Sequence, residues 1–213
     1  MSKKILIIGA SGFVGSYLFN ALNINSTYEI IGTFKKNKRK GLIKFDYSLE
    51  ENFKLIDEIK PDIIIWAAGE KNLKKTEVKI SKTLDKSFTP LKTLINQDLS
   101  KNNSKIIFLS SDYVFDGDKG DYTIYDKTIP KSFYGISKFK SEKYIINNHS
   151  NYNIIRAGAI IGEKSVFINW LIQSLNDNSK LDLYDNLFSP TPIINLLNCI
   201  EDIIQEKHNE KII

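Results

Sequence analysis

Residues 3–15, KKILIIGASGFVG, decide the fold. The aliphatic run 5–8, bounded by lysines on one side and glycine on the other, reads as a strand buried on both faces. It passes directly into Gly9, Gly12 and Gly15, and an amphipathic pattern over 14–22 then reads as a helix. A glycine turn between strand and helix lets the backbone approach a pyrophosphate, and the positive end of the helix dipole faces it. This order predicts a dinucleotide site built on Gly9, Ser11, Gly12, Phe13, Val14 and Gly15, although its glycines are spaced three and three, not two and three.

The same alternation continues along the chain. Apolar runs bounded by turn residues or charges predict strands over 29–34, 62–67, 105–110 and 153–156. Longer amphipathic segments predict helices over 50–59, 80–99 and 134–147. After Arg156 the pattern loosens into a helix over 165–175, a short strand over 181–184 and a helix over 193–206. Strand and helix in regular succession imply right-handed crossovers, and so an α/β, Rossmann-type doubly wound parallel sheet. The expected organisation is a cofactor-binding Rossmann domain over 1–157 and a small, shortened C-terminal substrate lobe over 158–213, intertwined with it. No internal repeat, low-complexity tract or long linker interrupts the pattern.

Composition excludes several other classes. With 213 residues, 42% of them hydrophobic and 26% charged, the chain can bury a substantial core. Thirty basic and 25 acidic residues give a formal charge of +5, but lysines alternate with acids instead of forming a basic block, so no nucleic-acid partner is expected. Cys199 is the only cysteine, which rules out an intrachain disulfide and suits a reducing compartment. His149 and His208 are the only histidines, and no metal site is expected. The first apolar run is too short for a signal-peptide core, and no run approaches the ~18 residues of a membrane span; a cytoplasmic protein without membrane association is expected.

Cofactor type is read at the end of the second strand. There the sequence IIGTFKKNKRK, residues 30–40, places Lys35 and Lys36 where an NAD-selective site carries an acid. No acid lies between Glu29 and Asp46, which favours the 2′-phosphate of NADPH, with NADH the alternative.

Two further stretches supply reactive groups. In IIFLSSDYVFDG, residues 106–117, Ser110 and Ser111 end a buried strand, the place where open parallel sheets bind ligands. In FYGISK, residues 133–138, Tyr134 and Lys138 are four apart and share one helix face. A free phenol has a pKa near 10, and a neighbouring ammonium is expected to lower it by about one to three units. Tyr134 could then protonate a carbonyl oxygen as hydride reaches the carbon, with Ser111 bonding the developing oxyanion and Lys138 also holding the nicotinamide ribose.

Taken in order, GASGFVG (9–15), PDIIIWAAG (61–69), SSDYVFDG (110–117), YGISK (134–138), IIRAGAIIG (154–162) and SPT (189–191) resemble the extended short-chain dehydrogenases/reductases, and within them the dTDP-4-dehydrorhamnose reductases. The likeness runs over nearly the whole chain. It implies NADPH-dependent reduction of a 4-keto sugar nucleotide, with Ser111, Tyr134 and Lys138 as catalytic residues. It also implies cofactor contacts from Asp46, Tyr47, Ala67, Ala68 and Gly69, and a substrate wall from Ser110, Asp112, Tyr113, Arg156, Asp185, Ser189, Pro190 and Thr191. The chain departs from that pattern where Ala157, Gly158 and Ala159 replace a Thr-Ser-Trp segment, where Leu84 and Asp85 replace Val and Asn, and where it stops soon after its last helix. Three readings stay open: the reductase, an epimerase or dehydratase on the same scaffold, and a noncatalytic NADP-binding protein similar to the methionine adenosyltransferase beta subunit. A homodimer is also open.

Overall fold

A computed structural model describes residues 2–24, 27–70, 76–163, 165–177 and 189–213. Six parallel strands form the centre: β1 (Lys3–Ile8), β2 (Tyr28–Phe34), β3 (Leu42–Lys44), β4 (Ile63–Trp66), β5 (Lys105–Ser111) and β6 (Tyr152–Ala157), in the order β3-β2-β1-β4-β5-β6. Order reverses beside β1, which pairs with β2 on one side and β4 on the other. That reversal is the point at which open α/β sheets bind their ligands.

Both faces of the sheet are covered, as the unbroken apolar runs require. Because side chains alternate across a strand, Leu6, Ile8, Ile64, Trp66, Ile106 and Phe108 pack on one face, and Ile5, Ile7, Ile63, Ile65, Ile107 and Leu109 on the other. The first face is closed by helices α2 (Lys54–Ile59), α4 (Thr89–Lys101) and α5 (Phe133–Asn148). The second is closed by α1 (Phe13–Leu22) and by the last helix, α7 (Ile193–Ile204), whose Leu196, Ile200, Ile203 and Ile204 are buried in the same core as Leu18 and Leu22. The C-terminal helix is therefore part of the Rossmann core.

The structure departs from the expected elements in three places. The segment expected as one helix over 80–99 is two, α3 (Ile80–Ser87) and α4, because Pro90 lacks an N–H and crowds the residue before it. Strand β3 is only three residues long and gave no periodic signal; it is held by pairing with Gly32, Thr33 and Phe34. Beyond β6, β7 (Ala159–Ile161) pairs in parallel with β8 (Pro190–Pro192), and α6 (Val166–Asn176) lies between them in the chain. Ser165 caps α6 by accepting the N–H of Ile168. The strand expected over 181–184 and Asp185 lie outside the described residues. The last three residues pair with the outer edge of β6, Ile213 N–H donating to Ile154 O at 2.9 Å and Arg156 N–H to Ile213 O at 2.7 Å.

Candidate active site

The glycines of the first turn are required by close approaches. Gly9 has φ +93°, and a Cβ there would come within 2.9 Å of the Ala68 backbone. A Cβ on Gly15 would sit 2.2 Å from the Gly9 carbonyl oxygen, so only glycine lets α1 start this close to the strand. Gly12 caps α1 with no side-chain acceptor, and no acid occupies the first helical turn. The helix start is thus left for an external anion. Above it lies a cleft of about 610 Å³, lined by Gly9, Ser11, Gly12, Lys35, Lys36, Tyr47, Ala67, Ala68, Gly69 and Lys86 among others. An uncapped helix start, a glycine cradle and three lysines fit the phosphates of a dinucleotide. Phe13 stands edge-on to Tyr17, and Val14 packs against the core.

At the Lys35 end of the cleft the structure adds a partner that sequence spacing hides. Lys35 Nζ lies 2.8 Å from Asp46 Oδ1 and 4.5 Å from the centroid of the Tyr47 ring. Burial alone would raise the Asp46 carboxyl, but hydrogen bonds from Lys35 and Ser48 and the charge of Lys35 bring it to about 2. Lys35 is therefore committed to Asp46, while Lys36 is exposed at the cleft. Thr33, buried beneath the turn, accepts the Gly9 N–H at 3.2 Å and so fixes the cradle from β2.

Ser111 ends β5, and Tyr134 and Lys138 project from the first turns of α5. The Ser111 hydroxyl acts on the Tyr134 phenol and favours its ionised form. Ser111 Oγ also donates to Asp112 Oδ1 at 2.9 Å and accepts the Tyr113 N–H at 3.3 Å. Tyr113 stands edge-on to Tyr134, with ring centroids 5.6 Å apart. The expected lowering of the phenol is not found. Burial pushes Tyr134 up to about 12, the Ser111 hydroxyl opposes this, and the charges of Asp112 and Tyr113 add to it. Lys138 does not offset the rise because its ammonium is turned to the Leu109 carbonyl, at 2.7 Å, and lies 5.6 Å from the Tyr134 ring centroid. Burial in turn brings the Lys138 ammonium down to about 8, with Glu142 pulling the other way. Burial also raises the Asp112 carboxyl, against the hydrogen bond it accepts from Ser111.

Two residues expected to touch substrate belong to the scaffold. Arg156 Nη2 lies 2.8 Å from Glu142 Oε2, the side chains being only 8% and 2% exposed, and its ring-facing side covers Phe115. Ser110 donates to the same carboxylate. Both side chains are thus consumed in tying α5 to β5 and β6, which removes them from the substrate wall. Ser189 and Thr191 lie against Gly158: Thr191 Oγ1 accepts the Gly158 N–H at 3.1 Å, and a Cβ on Gly158 would meet the Ser189 carbonyl oxygen at 2.0 Å and Asp112 Oδ2 at 3.4 Å. Gly158 is therefore required by the close passage of β8. Sequence reasoning missed Thr33, Lys86 and Glu142, and also Glu70, which lines the cleft. Only Glu142 carried a signal, lying four residues beyond Lys138 on the same face of α5.

No group of three or more potential metal ligands occurs among the described residues, and no helix among them is long and apolar enough to cross a membrane. A family model described as RmlD substrate binding domain matches residues 3–213. The chain is 30% identical to a dTDP-4-dehydrorhamnose reductase from Aggregatibacter actinomycetemcomitans over 162 residues, 75% of this chain and 52% of that protein. It is 26% identical to methionine adenosyltransferase 2 subunit beta from Xenopus laevis, over 93% of this chain and 57% of that one. The chain thus spans about half the length of these curated relatives. Among solved structures, a hypothetical dTDP-4-dehydrorhamnose reductase from Sulfolobus tokodaii superposes with TM-score 0.89 at 26% identity, covering 99% of this chain and 75% of that one. The Bacillus anthracis dTDP-4-dehydrorhamnose reductase in complex with NADP superposes with TM-score 0.86 at 24% identity, covering 96% and 71%.

Proposed function

The chain belongs to the RmlD substrate binding domain family, and from that premise we propose that it is an NADPH-dependent reductase of a 4-keto sugar nucleotide, with NADH the weaker donor. The observation that carries the reading is the meeting of Ser111 and the half-buried Tyr134, one helical turn from Lys138, near a cleft suited to a dinucleotide. A reduced nicotinamide supplies the hydride that converts the keto carbon to an alcohol. Ser111 holds the carbonyl oxygen, and Tyr134 gives it the phenolic proton, leaving a phenolate that recovers its proton from solvent. A phenol raised to about 12 is fully protonated at neutral pH, the state a proton donor needs. Lys138 would hold the nicotinamide ribose and would support the transient phenolate with its charge. The Lys35–Asp46 pair and Lys36 border the adenosine end, and Ser189–Thr191 with Asp112 and Tyr113 border the sugar. A cytosolic setting and a homodimer complete this reading.

One observation favours a second reading, a noncatalytic cofactor-binding role in a chain that is also similar to methionine adenosyltransferase 2 subunit beta: the phenol is not activated by Lys138. NADPH consumption followed by absorbance across a panel of 4-keto sugar nucleotides separates the two. Turnover by the wild type that is lost in Tyr134→Phe, with NADPH affinity kept within about twofold, supports the reductase. Tight NADPH binding with no substrate reduced would sink it and leave the binding role.

A further inference from the structure

The helix that carries Tyr134 is capped from two directions. A helix leaves its first N–H groups without internal partners, and in α5 Ser132 takes one of them in the ordinary way, its Oγ accepting the Gly135 N–H at 2.9 Å. The two others go to Glu77, a residue 56 and 57 positions earlier: Oε2 accepts the Phe133 N–H at 3.0 Å and Oε1 accepts the Tyr134 N–H at 3.1 Å. A carboxylate placed on the positive end of a helix gains from the helix dipole as well. Glu77 is exposed, so the packing of its own side chain does not explain its orientation.

Glu77 is in turn anchored to the cofactor side. Its neighbour Thr76 is buried, and the Thr76 carbonyl accepts the Thr83 hydroxyl of α3 at 2.6 Å. Two residues further along α3, Asp85 and then Lys86 line the nucleotide cleft. The fit at the α5 start is tight as well, since a Cβ on Gly135 would lie 2.1 Å from the Tyr113 carbonyl oxygen. The first turn of α5 is thereby clamped between Tyr113, next to Ser111, and Glu77, next to the cleft wall.

We propose that Glu77 is a positioning residue, which holds the backbone of Tyr134 through its own N–H and so registers the phenol between Ser111 and the cofactor cleft. This rests on the reductase reading for its catalytic consequence, but not for its geometry. In Glu77→Ala the clamp keeps only its Tyr113 side. An ångström of freedom at a proton donor costs up to about 100-fold in rate. Glu77→Gln keeps one acceptor oxygen of the two and is expected to fall between wild type and alanine.

The test has two arms on the 213-residue chain. Amide hydrogen exchange read residue by residue should show Phe133 and Tyr134 exchanging at least about tenfold faster in Glu77→Ala, while Gly135, held by Ser132, changes by less than about threefold. Turnover, expressed per NADPH-binding site so that misfolded protein is not counted, should fall about 10- to 100-fold in kcat in Glu77→Ala, with the cofactor Kd within about twofold and partial recovery in Glu77→Gln. Unchanged exchange at Tyr134 overturns the proposal, and so does unchanged kcat in an active enzyme. If the wild type reduces nothing, the reductase reading fails alone, and the exchange arm still decides whether Glu77 holds Tyr134.

Discussion

Lys138→Met tests the electrostatics of the site without needing a substrate. Methionine keeps an unbranched chain of similar length and removes the ammonium. In the folded protein, burial brings that ammonium from 10.5 down to about 8. Between those values the unfolded chain holds a proton that the folded chain has released, so wild-type stability rises with pH across the window. Below it both states are protonated and the whole cost of the buried charge is felt; above it the cost vanishes. At 1.36 kcal/mol per pH unit the cost is about 3 kcal/mol. Against this, the variant loses the hydrogen bond to the Leu109 carbonyl at every pH, about 1 kcal/mol. Urea unfolding should find Lys138→Met more stable than wild type by about 2 kcal/mol at pH 7 and less stable by about 1 kcal/mol near pH 10.5. Titrations common to both proteins cancel in that difference. A gap between the two proteins that is the same at both pH values would refute the claim that Lys138 is buried as a charge.

The remaining predictions concern the cofactor cleft and the buried strut. Gly15→Ala forces a methyl to within 2.2 Å of the Gly9 carbonyl oxygen, so NADPH affinity should fall at least tenfold with a lowered Tm; a variant that binds normally would show that the turn is not the cradle. In Lys35→Ala, Asp46 is left unpaired and ionised, a partner for ribose hydroxyls and a repellent for phosphate, and the NADPH:NADH affinity ratio should drop about tenfold, mostly by loss of NADPH. Lys36→Ala should weaken NADPH by a few-fold and leave NADH unchanged; equal losses for both cofactors in these two variants would defeat the 2′-phosphate assignment. Glu142→Gln leaves the Arg156 guanidinium buried opposite a neutral amide and should destabilise the fold by about 3–5 kcal/mol in urea titration, whereas a loss under 1 kcal/mol would mean that the pair is solvated.

Much of the architecture could be read from local pattern alone. The apolar runs at 5–8, 62–67 and 105–110 fall on β1, β4 and β5 of a parallel sheet, and the glycines at 9, 12 and 15 sit at its first turn. Tyr134 and Lys138, four residues apart, share one helix as their spacing required. These features are legible because backbone sterics and solvent exposure impose periods of 2 and 3.6 residues, and a window of ten residues contains them. Strand β3 escaped because three residues cannot display a period, and Pro90 cut a helix whose apolar pattern ran on unbroken.

Charge partnership was decided by the tertiary structure. Lys35 reads as a free cation for a phosphate until folding brings Asp46 to 2.8 Å, and Arg156 reads as a substrate ligand until Glu142 is found beneath it. The phenol of Tyr134 was expected to be lowered by its neighbour on the helix and is instead raised to about 12, since burial acts on it while the Lys138 ammonium faces the Leu109 carbonyl. Glu77, in a polar stretch with no motif, meets Tyr134 only because two segments 57 residues apart converge at one helix end. The sequence by itself determined which groups are present and which face of its own element each one occupies. Their ionisation and their partners depend on distances between segments and on exclusion of water, and neither exists until the chain is packed.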